Sequence, residues 1–232
     1  MLYWIWRRLR VALLAMALFA LLGLVGWHFA ARWQPSAASF PVQGVDVSED
    51  NGPLNWWTLK GAGVQFAYAR ATSGAGRRDA QFADNWRNLE AAAIARGVIH
   101  VFSLCESATD QARNFVTTVP RSDDMLPVAL ELGFTPDCKT RPERAKVLDE
   151  IRRLLVAIET HTGKHALLKV SRGFESKYSV SEAVPRKLWA QQFFLQPGYL
   201  ARPWTMWEAN GFHRLDGVDM PVHWDVIAKE AP

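Results

Sequence analysis

The chain has 232 residues, of which 49% are hydrophobic and 22% are charged, so it can bury a sizeable core and is not a disordered chain. Its formal net charge of +4 arises near the N-terminus. Residues 1–33 hold four arginines and no acidic residue, whereas the rest of the chain holds 23 charges of each sign. A neutral main part offers no basic surface, which argues against a nucleic-acid partner.

An uncharged run of 17 residues extends from Val11 to Trp27, directly after a segment with three arginines. Its length is near the lower limit for a helix that spans a bilayer, and tryptophans flank it where membrane interfaces favour them. By the positive-inside rule, the N-terminus is cytoplasmic and the rest of the chain is exported.

These features predict a cytoplasmic basic segment at residues 1–10 and a transmembrane signal anchor at residues 11–31. The protein would then lie in the inner membrane with a single pass, and its C-terminal part would be periplasmic or otherwise extracytoplasmic. The alternative is a cleaved signal peptide, since Ser36-Ala37-Ala38 can serve as a peptidase site.

A stretch rich in Pro, Ser and Ala at residues 32–41 predicts a linker, followed by a folded domain at residues 42–232. In that domain, short apolar runs alternate with helical patterns. The predicted strands are Gly44–Ser48, Gln65–Thr72, Val98–Leu104, Leu126–Leu132, His165–Ser171, Lys187–Phe193, Pro203–Ala209 and a last one around Val218. The predicted helices are Trp57–Gly61, Asp79–Gly97, Ser107–Val119 and Arg141–Lys164.

Repeated strand-then-helix units of this length indicate a parallel sheet, and about eight strands favour closure into a barrel. The fold class predicted is α/β, a TIM-like (β/α) barrel with an irregular later half, because helices become scarce after the fifth strand. Barrels of this kind build their sites at the carboxyl ends of the strands.

Four polar residues lie at or near predicted strand ends: Asp46, His100, Glu131 and Asp219. Three of them have ordinary structural explanations: Asp46 can cap the following turn, His100 can be a hydrogen-bonded core histidine, and Asp219 can be a turn residue. Glu131 is different, because an unpaired charge inside the apolar run VALEL costs several kcal/mol. It must therefore be paired, hydrogen-bonded or facing a polar cavity.

The chain has two cysteines, Cys105 and Cys138. In an exported domain, an even number of cysteines favours a disulfide over a metal or redox site, and no C-x-x-C motif or histidine cluster accompanies them. Two unrelated buried thiols are the alternative.

The order of several short motifs resembles the glycoside hydrolase family 25 lysozymes, which cleave peptidoglycan glycan next to N-acetylmuramic acid. The resemblance extends from about Gly44 to Trp224. The matching segments are Gly44-Val45-Asp46-Val47-Ser48, Trp56 or Trp57, Ala71-Thr72-Ser73-Gly74 with Asp79, Phe82 and Asn85, Ile99-His100-Val101, Gln111-Ala112, Trp204-Thr205-Met206-Trp207 and Val218-Asp219. No single motif is specific, but their order and spacing together are.

In the family that the chain resembles, the fourth strand ends in a D-x-E pair whose glutamate is the general acid. With Leu126-Pro127 in register with the family's L-P, Glu131 falls on the aspartate and Gly133 on the glutamate. The usual acid is then missing. A shift of two residues would instead place Glu131 on the glutamate and Ala129 on the aspartate.

The resemblance implies further assignments for this chain. Asp46, Glu131 and Asp219 are the expected catalytic residues, Tyr68, His100, Trp204 and Trp207 the expected substrate-binding residues, and Cys105 and Cys138 the expected disulfide, with no metal and no cofactor. Other positions depart from the family pattern: Ser73 replaces a glutamate, Lys169 a tyrosine and Pro221 an asparagine.

Two functions follow from the resemblance. The first is a membrane-anchored lysozyme-like enzyme that hydrolyses the β-1,4 bond after N-acetylmuramic acid, with weak or altered activity. The second is an inactive module that binds peptidoglycan glycan strands on the same barrel.

Overall fold

The structure is a computed structural model, and it describes residues 2–216 and 218–229. The chain divides into two compact units, Met1–Trp33 and Gln34–Pro232. The first unit consists of helix α1, Leu2–Arg32, whose apolar window is fully exposed. Within the described residues, this helix alone is long and apolar enough to cross a membrane.

The second unit carries nine strands among its described residues. Their bounds are β1 Gln43–Val47, β2 Phe66–Ser73, β3 Arg77–Arg78, β4 Ala95–Val101, β5 Ala129–Leu132, β6 Leu167–Ser171, β7 Lys187–Gln191, β8 Met206–His213 and β9 Val222–Ile227.

Six helices of the second unit connect these strands, together with a short 3-10 turn at Glu49–Asn51. They are α2 Trp56–Gly61, α3 Phe82–Ala91, α4 Ala108–Thr118, α5 Arg144–Thr162, α6 Arg172–Tyr178 and α7 Val180–Ala183.

The sheet has the strand order β1-β9-β8-β7-β6-β5-β4-β2-β3, and an additional pairing of β1 with β2 closes it. Eight strands therefore form a barrel, and β3 extends β2 as a hairpin. The barrel strands run parallel except for β9, which is antiparallel to both β1 and β8. Among the described residues, no helix lies between β7 and β8 or between β8 and β9. The prediction of a TIM-like barrel with an irregular later half is confirmed.

Alternate residues of the strands fill the barrel interior. The buried cluster there consists of Phe66, Tyr68, Ile99, Val101, Ala129, Leu167, Trp189 and Met206. The intervening residues face the surrounding helices. This alternation decides which side chain of each strand reaches the site at the barrel mouth.

Two details of the predicted elements were wrong. Helix α3 ends at Ala91 rather than Gly97, because Ala93 adopts a positive φ of 50° that stops the helix and lets β4 begin at Ala95. The short helices α6 and α7 were not predicted, since their polar sequence has little apolar periodicity.

The two cysteines form a disulfide, as expected. Cys105 follows β4 and Cys138 follows β5, and their Cα atoms lie 5.8 Å apart. The bridge ties together the loops that follow two neighbouring strands, at the carboxyl end of the barrel.

Candidate functional site

Five charged side chains from five strands meet in the mouth of the barrel. Asp46 comes from β1, Glu131 from β5, Lys169 from β6, Glu208 from β8 and His223 from β9. We call these five residues the mouth cluster. Each stands on the inward-facing side of its strand, so the barrel's closure brings them together although they are far apart in sequence.

Lys169 lies at the centre of the mouth cluster and its side chain is completely buried. Its Nζ is 2.7 Å from Asp46 Oδ2, 2.9 Å from Glu208 Oε2 and 3.8 Å from Glu131 Oε2. Burial by itself disfavours the ammonium, but the nearby carboxylates outweigh burial and raise the pKa of Lys169 well above its ordinary value. Lys169 is therefore a full positive charge at neutral pH.

Asp46 and His223 form a second contact of the cluster. His223 Nδ1 is 3.2 Å from Asp46 Oδ1 and 3.5 Å from Glu208 Oε1. Burial opposes the imidazolium, yet the two carboxylates prevail and raise the pKa of His223 to about 9. Burial likewise opposes an ionised Asp46, but Lys169 and His223 hold the pKa of Asp46 far below its usual range. Asp46 is thus an ionised carboxylate enclosed by two cations.

Asp225, on β9, lies beneath the mouth cluster and is completely buried. Its Oδ1 accepts a hydrogen bond of 3.1 Å from Trp189 Nε1. Burial and the negative charge of Asp46 raise the pKa of Asp225 well above its usual value. Asp225 therefore favours its neutral form more than an ordinary aspartate does, but its burial keeps it out of a ligand's reach.

Gly133, the position that the family resemblance assigns to the general acid, leaves an open space beside this cluster. It follows β5 two residues after Glu131, so a side chain there would point to the same side. A Cβ atom added to Gly133 would have one neighbour within 4 Å, Ser171 Oγ at 3.8 Å.

The structure brings together two of the predicted catalytic residues, Asp46 and Glu131, which both face Lys169. Glu131 is paired and also lines a cavity, as its place in an apolar run required. The third residue, Asp219, is exposed in the loop before β9. The aspartate that β9 carries into the barrel is Asp225, six residues later.

Two of the predicted substrate-binding residues are buried inside the domain. Tyr68 is in the barrel core, where its hydroxyl donates to Pro127 O at 3.0 Å and its ring packs on Trp189. His100 faces α4, with Nδ1 2.7 Å from Thr72 Oγ1 and its ring against Phe115. Burial lowers the pKa of His100 to about 4. His100 is therefore a hydrogen-bonded core histidine and does not face the barrel mouth.

The predicted sugar-stacking tryptophans pack on each other and on Phe40. The ring centroids of Trp204 and Trp207 are 6.0 Å apart, and Phe40 lies 6.1 Å from the first and 5.8 Å from the second. Trp207 stands between the inward-facing Met206 and Glu208 on β8, so it faces away from the barrel interior. These aromatic rings support the fold rather than the mouth.

Asp46, Glu208 and His223 offer three ligand atoms that lie within 4.8 Å of one another, a spacing compatible with a metal ion. The ammonium of Lys169, however, already contacts both carboxylates at hydrogen-bonding distance. A metal would have to displace this ammonium, so the donor set fits a buried ion-pair network better than a metal centre.

Two cavities open beside the mouth cluster. The smaller one, of about 190 Å³, is lined by residues that include Asp46, His223 and Met220. The larger one, of about 350 Å³, is lined by residues that include Glu131 and Arg77. Arg70, on β2, lines both.

Sequence reasoning missed Glu208, His223, Asp225 and Arg70, and noted Lys169 only as a departure from a family pattern. The sequence nevertheless contains a pattern that could have identified Glu208 and Asp225. Each is an acid inside an apolar strand, in MWEA and HWDV, as Glu131 is in VALEL.

The chain is similar to known proteins both in sequence and in structure. The model of the glycosyl hydrolases family 25 matches residues 45–217. The uncharacterized protein YegX of Escherichia coli O6:H1 is 26% identical over 196 residues, covering 82% of this chain and 71% of that protein.

Two solved structures share the fold at 25% identity. A family 25 glycosyl hydrolase from Bacillus anthracis has a TM-score of 0.78, with 86% of this chain and 94% of that chain covered. A bacterial lysozyme from Streptomyces coelicolor has a TM-score of 0.73, with 82% and 93% covered.

Replacing Lys169 with Met should lower the free energy of unfolding by about 3–5 kcal/mol, because the carboxylates of Asp46 and Glu208 then lose their buried ammonium. Chemical denaturation of the full chain in detergent measures this change. Lys139→Met, at an exposed lysine, is the control and should shift stability by less than about 0.5 kcal/mol. A loss at Lys169 no larger than the control's would contradict the ion-pair network.

Proposed function

The chain belongs to the glycosyl hydrolases family 25, and on that premise we propose that it binds peptidoglycan glycan strands in its barrel mouth without cleaving them. We further propose that helix α1 attaches the chain to a membrane. The observation that carries it is the charge state of the mouth, where a buried ammonium lies between the carboxylates.

Glycoside hydrolysis requires a protonated carboxyl next to the leaving oxygen and an ionised carboxylate near the sugar. In this mouth, Asp46 is ionised and held by Lys169 and His223. Asp225, whose pKa is raised, is completely buried. Gly133 has no carboxyl at all. Loss of general-acid assistance alone reduces a rate by about 10²- to 10⁴-fold.

Slow hydrolysis through Glu131 is a second candidate, and one observation favours it. The Glu131 side chain is 17% exposed and lines the larger cavity, and its Oε2 accepts no hydrogen bond from the described residues. Glutamate is longer by one methylene than the aspartate of the family motif, which extends its reach toward a leaving oxygen.

Two features support attachment to the membrane: the helix α1 and the charges at the start of the sequence. The helix is long and apolar enough to cross a bilayer, and the arginines before the apolar run favour a cytoplasmic N-terminus. An extracytoplasmic barrel would have access to peptidoglycan, whereas a cytoplasmic one would not.

The proposed function predicts that the purified full chain sediments with insoluble peptidoglycan but gives no clear zone on a peptidoglycan zymogram. Installing the missing acid should create activity: the variant Gly133→Glu with Glu131→Asp restores the D-x-E pair, and the space at Gly133 accepts the side chain. Gly133→Gln with Glu131→Asp is the matched control, since it adds the same bulk without an acid.

A clear zone from the unmodified chain that Glu131→Gln abolishes would establish the second candidate instead. If the folded chain neither bound nor cleaved peptidoglycan, both candidate functions would be contradicted.

The membrane attachment predicts that a reporter active only in the periplasm functions when fused after Pro232, and that the fusion stays in the membrane fraction. Charge reversal of the three arginines at positions 7, 8 and 10 should lower reporter activity, because it removes the positive-inside signal. Release of a soluble product shortened by about 30–38 residues would show a cleaved signal peptide instead.

A further inference from the structure

We propose that Arg70 is a carboxylate-binding residue at the junction of the two mouth cavities, and that its ligand is the free lactyl carboxylate of peptide-free glycan strands. This inference rests on the proposed function and specifies which form of peptidoglycan the mouth prefers.

The position of Arg70 follows from the alternation along β2. Phe66 and Tyr68 point into the barrel core, so Arg70 points inward one step nearer the mouth. The register of β2 against β4 shifts directly after Arg70, between Arg70 and Thr72. Arg70 therefore contributes to the walls of both the 190 Å³ and the 350 Å³ cavity.

The guanidinium of Arg70 has unused donors. Among the described residues, its charged partner is Asp50, with Nη1 3.9 Å from Oδ2, and the Asp50 side chain is 76% exposed. Its Nε is buried and has no hydrogen-bond partner in the described part of the chain. An exposed pair at that distance contributes little, so the guanidinium of Arg70 keeps its donors available although carboxylates lie near it.

Other arginines near the mouth or in the core have closer charged partners. Arg77, across the larger cavity, contacts Glu49 Oε1 at 2.5 Å. The buried Arg96 contacts Glu90 at 2.9 Å, Asp124 at 3.3 Å and Trp86 O at 2.9 Å, although its Nε, like that of Arg70, has no hydrogen-bond partner in the described part of the chain. Arg70 differs from both because its charged contact among the described residues, Asp50, lies 3.9 Å away.

Carboxylates are already present around Arg70, but none in the described residues holds its guanidinium by a hydrogen bond. Glu49 and Asp79 interact with it electrostatically. In the mouth cluster, the three carboxylates face the Lys169 and His223 cations instead. A ligand carboxylate would therefore be recognised through the unused hydrogen-bond donors of Arg70 and not through an excess of positive charge in the mouth.

Peptidoglycan can present a carboxylate directly next to a sugar ring. N-acetylmuramic acid carries a lactyl ether whose carboxyl is an amide while the peptide stem is attached and a free carboxylate once the stem is removed. A guanidinium pairs with a carboxylate through two parallel hydrogen bonds. The carboxylates of an attached stem lie further from the ring, so a site inside the mouth favours the lactyl group.

The test measures binding of the full chain in detergent to three glycan preparations. These are strands freed of stems by an amidase, the same strands with the lactyl carboxyl reduced to an alcohol, and strands that keep their stems. The unmodified chain should bind the peptide-free strands about tenfold or more tightly than either other form, as expected for a hydrogen-bonded charge pair.

Variants assign this preference to Arg70. Arg70→Gln should remove the preference, so that peptide-free and reduced strands bind with equal affinity, and Arg70→Lys should retain part of it, since lysine keeps the charge without the planar fork. Arg77→Gln, which alters the same cavity at an already paired arginine, should keep the preference.

Equal affinity of the unmodified chain for peptide-free and reduced strands would overturn the inference while leaving glycan binding intact. Equal affinity for stem-bearing strands would overturn the lactyl assignment. An absence of binding to all three preparations would overturn the inference together with the proposed function. The comparison of ligands on the unmodified chain decides the matter even where Arg70→Gln fails to fold.

Discussion

The buried ammonium of Lys169 between Asp46 and Glu208 is the interaction on which the barrel mouth depends. It joins side chains of β1, β6 and β8, and a third carboxylate and an imidazole complete its surroundings. Moving each of these ions out of water costs several kcal/mol, so the arrangement is stable only while every partner is present. The same charge favours the ionised form of Asp46, whereas burial and the Asp46 carboxylate raise the pKa of Asp225.

The barrel scaffold and the ion-pair network at its mouth are two separate features of the molecule. The barrel superposes on a family 25 glycosyl hydrolase with a TM-score of 0.78, so the scaffold is kept. At the mouth of this barrel, a buried ammonium lies between the carboxylates of Asp46 and Glu208, and Gly133 leaves an open space beside them. Two cavities open next to these charges. A fold alone does not decide function, so function must be argued from these side chains.

Much of the fold was predictable because strand-then-helix periodicity and turn chemistry are local. The predicted strands that correspond to β1, β2 and β4 to β8 lie within four residues of their observed bounds, but β3 was not predicted and β9 begins at Val222 rather than around Val218. The end of α3 depended on the positive φ of Ala93, which an alanine does not signal. The site was predictable only in part. Glu131 was identified as a charge in an apolar run, but its partner Lys169 could not be assigned, because neighbouring barrel positions depend on register between strands. His100 and Trp207 were expected to bind substrate, yet strict alternation with Ile99, Val101 and Met206 turns both outward.

The most direct test of this account is a ¹³C-carboxyl NMR titration of the aspartates, with assignments from Asp46→Asn and Asp225→Asn. We expect one signal that titrates well below the ordinary aspartate pKa, belonging to Asp46, and one that titrates well above it, belonging to Asp225. In Lys169→Met, the pKa of Asp46 should move upward, since its closest cation is gone. Two aspartates with ordinary pKa values of about 4, unaffected by the loss of Lys169, would contradict the claim that a buried ammonium controls the mouth.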